Sequence, residues 1–140
     1  MDSEVFLWSL LDIAGTPLSM FCRNCPKQCG PPEREAVERT VKESTYHIIE
    51  NKGFTNDAIG LAATRLMRSV LRHERSVLPV SVLLEGEYGL NDVCLSVPCL
   101  MDSTGVARII ETRLNDKEKE QLAASAEIIK ESLRSIEEIE

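Results

Sequence analysis

Apolar residues recur along the chain at spacings that separate helices from strands. Over residues 33–51, Val37, Val41, Thr45 and Ile48 follow one another at steps of four, four and three. That spacing predicts a helix with one apolar stripe and a charged opposite face. Pro31-Pro32 places its start, and Gly53 after Lys52 is a suitable stop. Residues 58–71 predict a second helix, capped by Thr55 or Asn56. Ala58, Ile59, Leu61, Ala62, Leu66 and Val70 cover most of its circumference until Arg65 and Arg68 interrupt it. A helix apolar on so many sides is expected to be buried on several of them. Its first turn leaves backbone N–H groups free, where an anion can dock.

Beyond it the period changes. Residues 77–84, 93–100 and 106–112 are rich in Val, Leu and Ile, and short turns such as Glu85-Gly86-Glu87-Tyr88-Gly89 separate them. They predict three strands in an antiparallel meander, with Pro79 and Pro98 at edges or strand ends. Asn115 or Asp116 then caps a terminal helix over residues 116–140, with Leu122, Ala126, Ile129, Leu133 and Ile136 forming one continuous seam. Glu137, Glu138 and Glu140 oppose the helix dipole, so that end is expected to fray. The region from Met20 to Pro32 reads as irregular. The expected fold class is α/β (α+β), with helices packed on a small antiparallel sheet in a single domain over residues 1–140.

At 140 residues the chain has room for one core and not for two full domains. Its net charge of −7 disfavours nucleic acid and anionic membrane surfaces as partners. No run of 18 apolar residues is present, and Met1-Asp2-Ser3-Glu4 is acidic where a signal peptide is basic. A cytoplasmic location is expected. Five cysteines, an odd number, fit a reducing compartment better than a disulfide framework.

Cys22, Cys25 and Cys29 are spaced so that their thiolates can reach one metal ion. A structural zinc site needs a fourth ligand, which Cys94, Cys99, His47 or His73 would have to supply from a distance. The plainer reading is a loop with half-buried thiols. His47 lies within a predicted helix and His73 ends another, and no neighbouring acid orients either as a base. There is no G-x-G-x-x-G and no P-loop, so no dinucleotide-binding Rossmann unit is visible. No nucleophile elbow surrounds Ser81 or Ser96.

Several motifs in a fixed order carry a family resemblance. Asp2-Ser3-Glu4-Val5 with Trp8-Ser9 continues a Glu-His-Gly-Asp-Ser-Glu-Val pattern, and Gly15-Thr16-Pro17-Leu18 matches Gly-Gly-x-Pro-Leu. Tyr46 to Gly60 matches Ala-Tyr-x-Ile-Ile-x-x-Lys-Gly-x-Thr followed by Ala-Ile-Gly. Pro79-Val80-Ser81-Val82, Tyr88-Gly89, Leu95-Ser96-Val97-Pro98 and Leu114-Asn115-Asp116-Lys117-Glu118 follow in family order. In these motifs the chain resembles the C-terminal, substrate-binding half of L-lactate dehydrogenases in the lactate/malate dehydrogenase family. Some bacterial members carry a similar cysteine-rich loop, which favours the non-metal reading of Cys22, Cys25 and Cys29.

The resemblance implies a substrate contact by Thr55 and packing of Ile59 against the nicotinamide ring of NAD. Without it, Thr55 reads as a helix cap and Ile59 as core. The catalytic histidine of the pattern would immediately precede Met1, so no catalytic residue is expected in this chain. The orienting aspartate, the two substrate arginines and the nucleotide-binding half are likewise not among these residues. Phe6 stands where many members have proline, and Asp57 puts a carboxylate beside Thr55 that is expected to repel an anionic substrate. The implied activity is pyruvate/lactate interconversion with NAD, in a complete enzyme only, and no metal is expected. Implied partners are identical or full-length dehydrogenase subunits and a small 2-hydroxy or 2-oxo acid. The alternative is a non-catalytic oligomerisation module derived from the family.

Overall fold

The computed structural model describes residues 4–23 and 30–137. Its contacts divide the chain into two compact units. One runs from Trp8 to Arg65, and the other joins the residues up to Leu7 to those from Leu66 onward.

The second unit is built on a three-stranded antiparallel sheet, β3 (Ser76–Glu85), β4 (Asn91–Asp102) and β5 (Gly105–Ile109), in that order with β4 central. The meander is the one expected, with β3 and β4 longer and β5 shorter than the sequence pattern indicates. Strict alternation selects the covered face. Val93, Leu95, Val97, Cys99 and Met101 of β4 are buried, together with Leu84 of β3. Helix α4 (Asp116–Glu137) lies on that face through Ala126, with Leu122 and Ile129 partly buried beside it. Each such apolar side chain contributes about 1.5–3 kcal/mol when fully buried. Burial also pushes the Cys99 thiol above its ordinary pKa.

Pro98 corrects the expectation of an edge position, because it lies inside the central strand opposite Pro79. Its carbonyl accepts from Ile110 N at 2.8 Å, so its backbone polar groups face β5 rather than β3. The register pairs Cys99 with Ile109, the last residue of β5, so Pro98 lies just past the end of that ladder. The missing N–H therefore falls where no strand requires it.

Two local devices hold this unit's connections. Tyr88, in the left-handed region at φ 55°, sits in the turn between β3 and β4. Its N–H donates to Glu111 Oε2 at 2.8 Å, and its hydroxyl accepts from Thr112 N at 3.1 Å. Asn115 caps α4 by a reciprocal pair: Glu118 N donates to Asn115 Oδ1 at 2.9 Å, and Asn115 N donates to Glu118 Oε2 at 3.1 Å. The seam of α4 is not continuous. Ala126 is buried, whereas Leu133 and Ile136 are exposed, because the sheet face covers only the earlier turns.

The first unit holds a short hairpin, β1 (Asp12–Ile13) with β2 (Thr16–Pro17), and the helices α1 (Leu18–Arg23) and α2 (Pro31–Lys52). Met20 to Arg23, expected to be irregular, belong to α1. Helix α2 begins two residues earlier than expected. Prolines are tolerated in a first turn, where the N–H has no partner, and Gly30 N donates to Glu33 Oε2 at 2.8 Å. Gly53, left-handed at φ 83°, ends it by donating to Ile49 O at 2.7 Å. Trp8 is clasped by α2: its indole N–H donates to Glu38 Oε1 at 2.6 Å, and the Arg34 guanidinium lies 5.4 Å from its ring centroid.

Helix α3 (Asp57–Leu71) passes from the first unit into the second. It is not buried on several sides as its composition suggests. Ile59, Leu61, Met67 and Leu71 are exposed, and Ser69 is its one buried residue among those described. Periodicity reports which faces are apolar, whereas burial requires a covering layer, and the described residues supply none over these positions.

Candidate functional site

The resemblance directs attention to residues 52–60, where α2 gives way to α3. Gly53 turns the chain, and Phe54, Thr55 and Asn56 form the connection. Asn56 is the residue that caps α3, since its carbonyl accepts from Gly60 N at 2.9 Å and the helix starts at Asp57. Thr55 lies one residue earlier and is half-buried. Its reading as the helix cap is thereby removed. Ile59, about one helical turn further on, is 67% exposed, so it is not a core residue of the described chain either.

Lysine 52 ties the connection together. Lys52 Nζ pairs with the Asp57 carboxylate, and the same ammonium group lies 4.9 Å from the centroid of the Phe54 ring. One side chain at the end of α2 thus touches both flanks of Thr55. Sequence reasoning passed over Lys52, although its distance of five residues from Asp57 across a glycine turn was the available signal.

The other candidates lie elsewhere. His47 is an exposed residue of α2 whose nearest charged partner is Glu50 at 3.7 Å. His73 follows α3 in the left-handed region, in the unit that holds the sheet. Cys22 is half-buried on α1, Cys94 is exposed on β4 and Cys99 is buried in the core. Cys25 and Cys29 lie outside the described residues. Among the described residues no group of three or more His, Cys, Asp or Glu is placed to hold a metal ion. No helix of the described residues is long and apolar enough to cross a membrane.

Clefts open in the sheet unit, and two of them are lined in part by charged or apolar side chains of the β3–β4 turn, β4 and α4. A cavity of about 640 Å³ is lined by Tyr88, Glu111, Arg113 and Lys119, and one of about 310 Å³ by Val5, Leu95, Pro98 and Leu122. Neither includes Thr55 or Ile59.

The sequence model of the lactate/malate dehydrogenase alpha/beta C-terminal domain matches residues 1–140. L-lactate dehydrogenase 1 of Clostridium acetobutylicum is 45% identical over 135 residues, which is 96% of this chain and 43% of that protein. The L-lactate dehydrogenase of Acetivibrio thermocellus is 40% identical over 136 residues, again 43% of its length. Among solved structures, the minor L-lactate dehydrogenase of Enterococcus mundtii in its ligands-bound form superimposes with a TM-score of 0.89 at 32% identity. That match covers 96% of this chain and 43% of the other. The chain therefore spans about two-fifths of the length of the relatives it matches.

Proposed function

The chain belongs to the lactate/malate dehydrogenase family, of which it carries the C-terminal α/β domain, and from that membership we propose that it is the substrate-binding half of an NAD-dependent L-lactate dehydrogenase. The observation that carries this reading is the match of the whole chain to proteins named L-lactate dehydrogenase, at up to 45% identity. It is supported by the connection at residues 53–56, which keeps Thr55 clear of the cap of α3.

In this reading Thr55 directs its hydroxyl to the carboxylate of pyruvate or lactate and fixes the orientation of the acid. Ile59 presents an exposed aliphatic side chain about a turn away, which suits the face of a nicotinamide ring. NAD, when bound, supplies the hydride acceptor and donor. The chain's own residues bind, orient and exclude water; the general acid and the carboxylate-clamping cations come from the complementary half. The 140 residues alone are then catalytically silent, and the complete protein works in the cytoplasm as an oligomer of such subunits.

A second reading is a non-catalytic module that pairs with dehydrogenase subunits. The exposed apolar side chains of α2 and α3, Val37, Val41, Ile48 and Leu61 among them, favour it.

Pyruvate-dependent oxidation of NADH separates the two. The 140-residue chain is assayed alone and then joined to the part of the Clostridium acetobutylicum relative that it does not match. The expected result is no turnover by the chain alone and turnover by the joined protein. Thr55→Ala in the joined protein should raise KM for pyruvate roughly tenfold or more, the cost of one hydrogen bond to a charged group. A joined protein that melts cooperatively but leaves NADH untouched contradicts the dehydrogenase reading.

A further inference from the structure

Asp57 sits two residues from Thr55, and a bare carboxylate there is at odds with a site for an anionic acid. The structure resolves the conflict within the chain. Lys52, the last residue of α2, pairs with Asp57, the first of α3, and its ammonium group also covers the Phe54 ring at 4.9 Å. Gly53 at φ 83° makes this return geometrically possible.

We propose that Lys52 is a positioning and charge-neutralising residue: it straps Phe54 and Asp57 together, holds the connection that carries Thr55, and cancels the Asp57 charge so that a monocarboxylate 2-oxo acid can approach. The proposal rests on the reading of Thr55 as a substrate contact. It adds that the Lys52–Asp57 pair is a unit, so that losing the lysine is worse than losing both. Lys52 and Asp57 are 45% and 74% exposed, which sets the scale of the strap as that of a surface pair.

Two measurements separate the strap from the enzymatic reading. The first uses the joined protein, in which the helical unit is covered, and needs no activity. Amide hydrogen exchange at Phe54, Thr55 and Asn56 should quicken roughly two- to fivefold in Lys52→Gln and in Asp57→Asn, with the double variant no faster than either single one. Unchanged exchange in both single variants overturns the strap.

The second measurement uses the active joined protein, with pyruvate as the probe. Lys52→Gln should raise KM roughly three- to tenfold at low salt, and the rise should shrink as salt is added, because an unpaired Asp57 then faces the anion. Adding Asp57→Asn to Lys52→Gln should recover most of that rise in KM, the part due to the unpaired charge, with kcat little changed. A KM rise that ignores salt, or that the second substitution does not rescue, overturns the charge role and leaves Lys52 a structural residue. Absence of turnover in the joined protein fails the dehydrogenase reading, and with it the charge role, whereas the exchange result judges the strap on its own.

Discussion

The sheet unit and the helical unit are held together in opposite ways. Around β4, alternate residues from Val93 to Met101 are buried, and Leu84 and Ala126 complete a core with no exposure at their centres. Between Trp8 and Arg65 no described residue is buried, although Val37, Val41, Ile48, Ile49 and Leu61 are apolar. Polar clasps such as Trp8 to Glu38 and Lys52 to Asp57 are what the helical unit shows instead. Helices draw most of their stability from a covered apolar face, and isolated ones are marginal in water. The sheet unit therefore carries its own stability, while the helical unit, which holds Thr55 and Ile59, is shaped to be covered. In the proposed enzyme the two tasks are divided accordingly: one unit is scaffold, and the other is site.

The sharpest way to break this comparison is to remove volume from each unit. Leu84 has no exposed surface, so Leu84→Ala should cost about 2–5 kcal/mol in urea denaturation of the chain. Val41→Ala, at a position 47% exposed on α2, should cost less than about 1 kcal/mol. Equal losses at the two sites contradict the division. A smaller effect is expected at the cap of α4. Asn115→Ala removes the acceptor of Glu118 N and should cost about 1 kcal/mol by the same assay.

The smallest effect is a pH dependence at the β4–β5 turn. The Asp102 carboxylate accepts from Thr104 N at 2.8 Å and from Thr104 Oγ1 at 2.7 Å, and these bonds hold its pKa below the ordinary 3.8. Arg75 and His73 add weaker attraction, against a small opposing effect of desolvation. A carboxyl whose pKa is lower in the folded state stabilises that state above its unfolded value. The gain is lost as pH falls through the lower, folded value. The urea midpoint of Asp102→Asn should therefore lie slightly below that of the native chain near neutrality and converge with it in acid. A constant gap at all pH values contradicts this assignment.

Much of the sheet unit was legible because its signals are local. Alternating Val and Leu set the strands, a short glycine turn set the meander, and the Asn115-x-x-Glu118 spacing is a capping box in the sequence itself. Pro98 was misread because a proline's tolerance depends on where the neighbouring strand ends, which no local pattern records. The exposure of α3 was misread for a related reason: Ile59 and Leu61 are apolar whether or not the layer over them belongs to this chain. At the site, Thr55 and Ile59 came from family motifs rather than from spacing. Lys52 was overlooked because periodicity weighs residues within one element, whereas its partner Asp57 lies on the next helix, across the Gly53 turn.

Residue-resolved amide hydrogen exchange tests the central claim most directly, on the 140-residue chain alone and in the joined protein. The account predicts slow exchange along β4 in both. It predicts exchange in α2 and the first turns of α3 that is fast in the chain alone and slows roughly a hundredfold or more once the complementary half is present. Exchange in α2 as slow as in β4 in the chain alone would contradict it, because the helical unit would then need no cover.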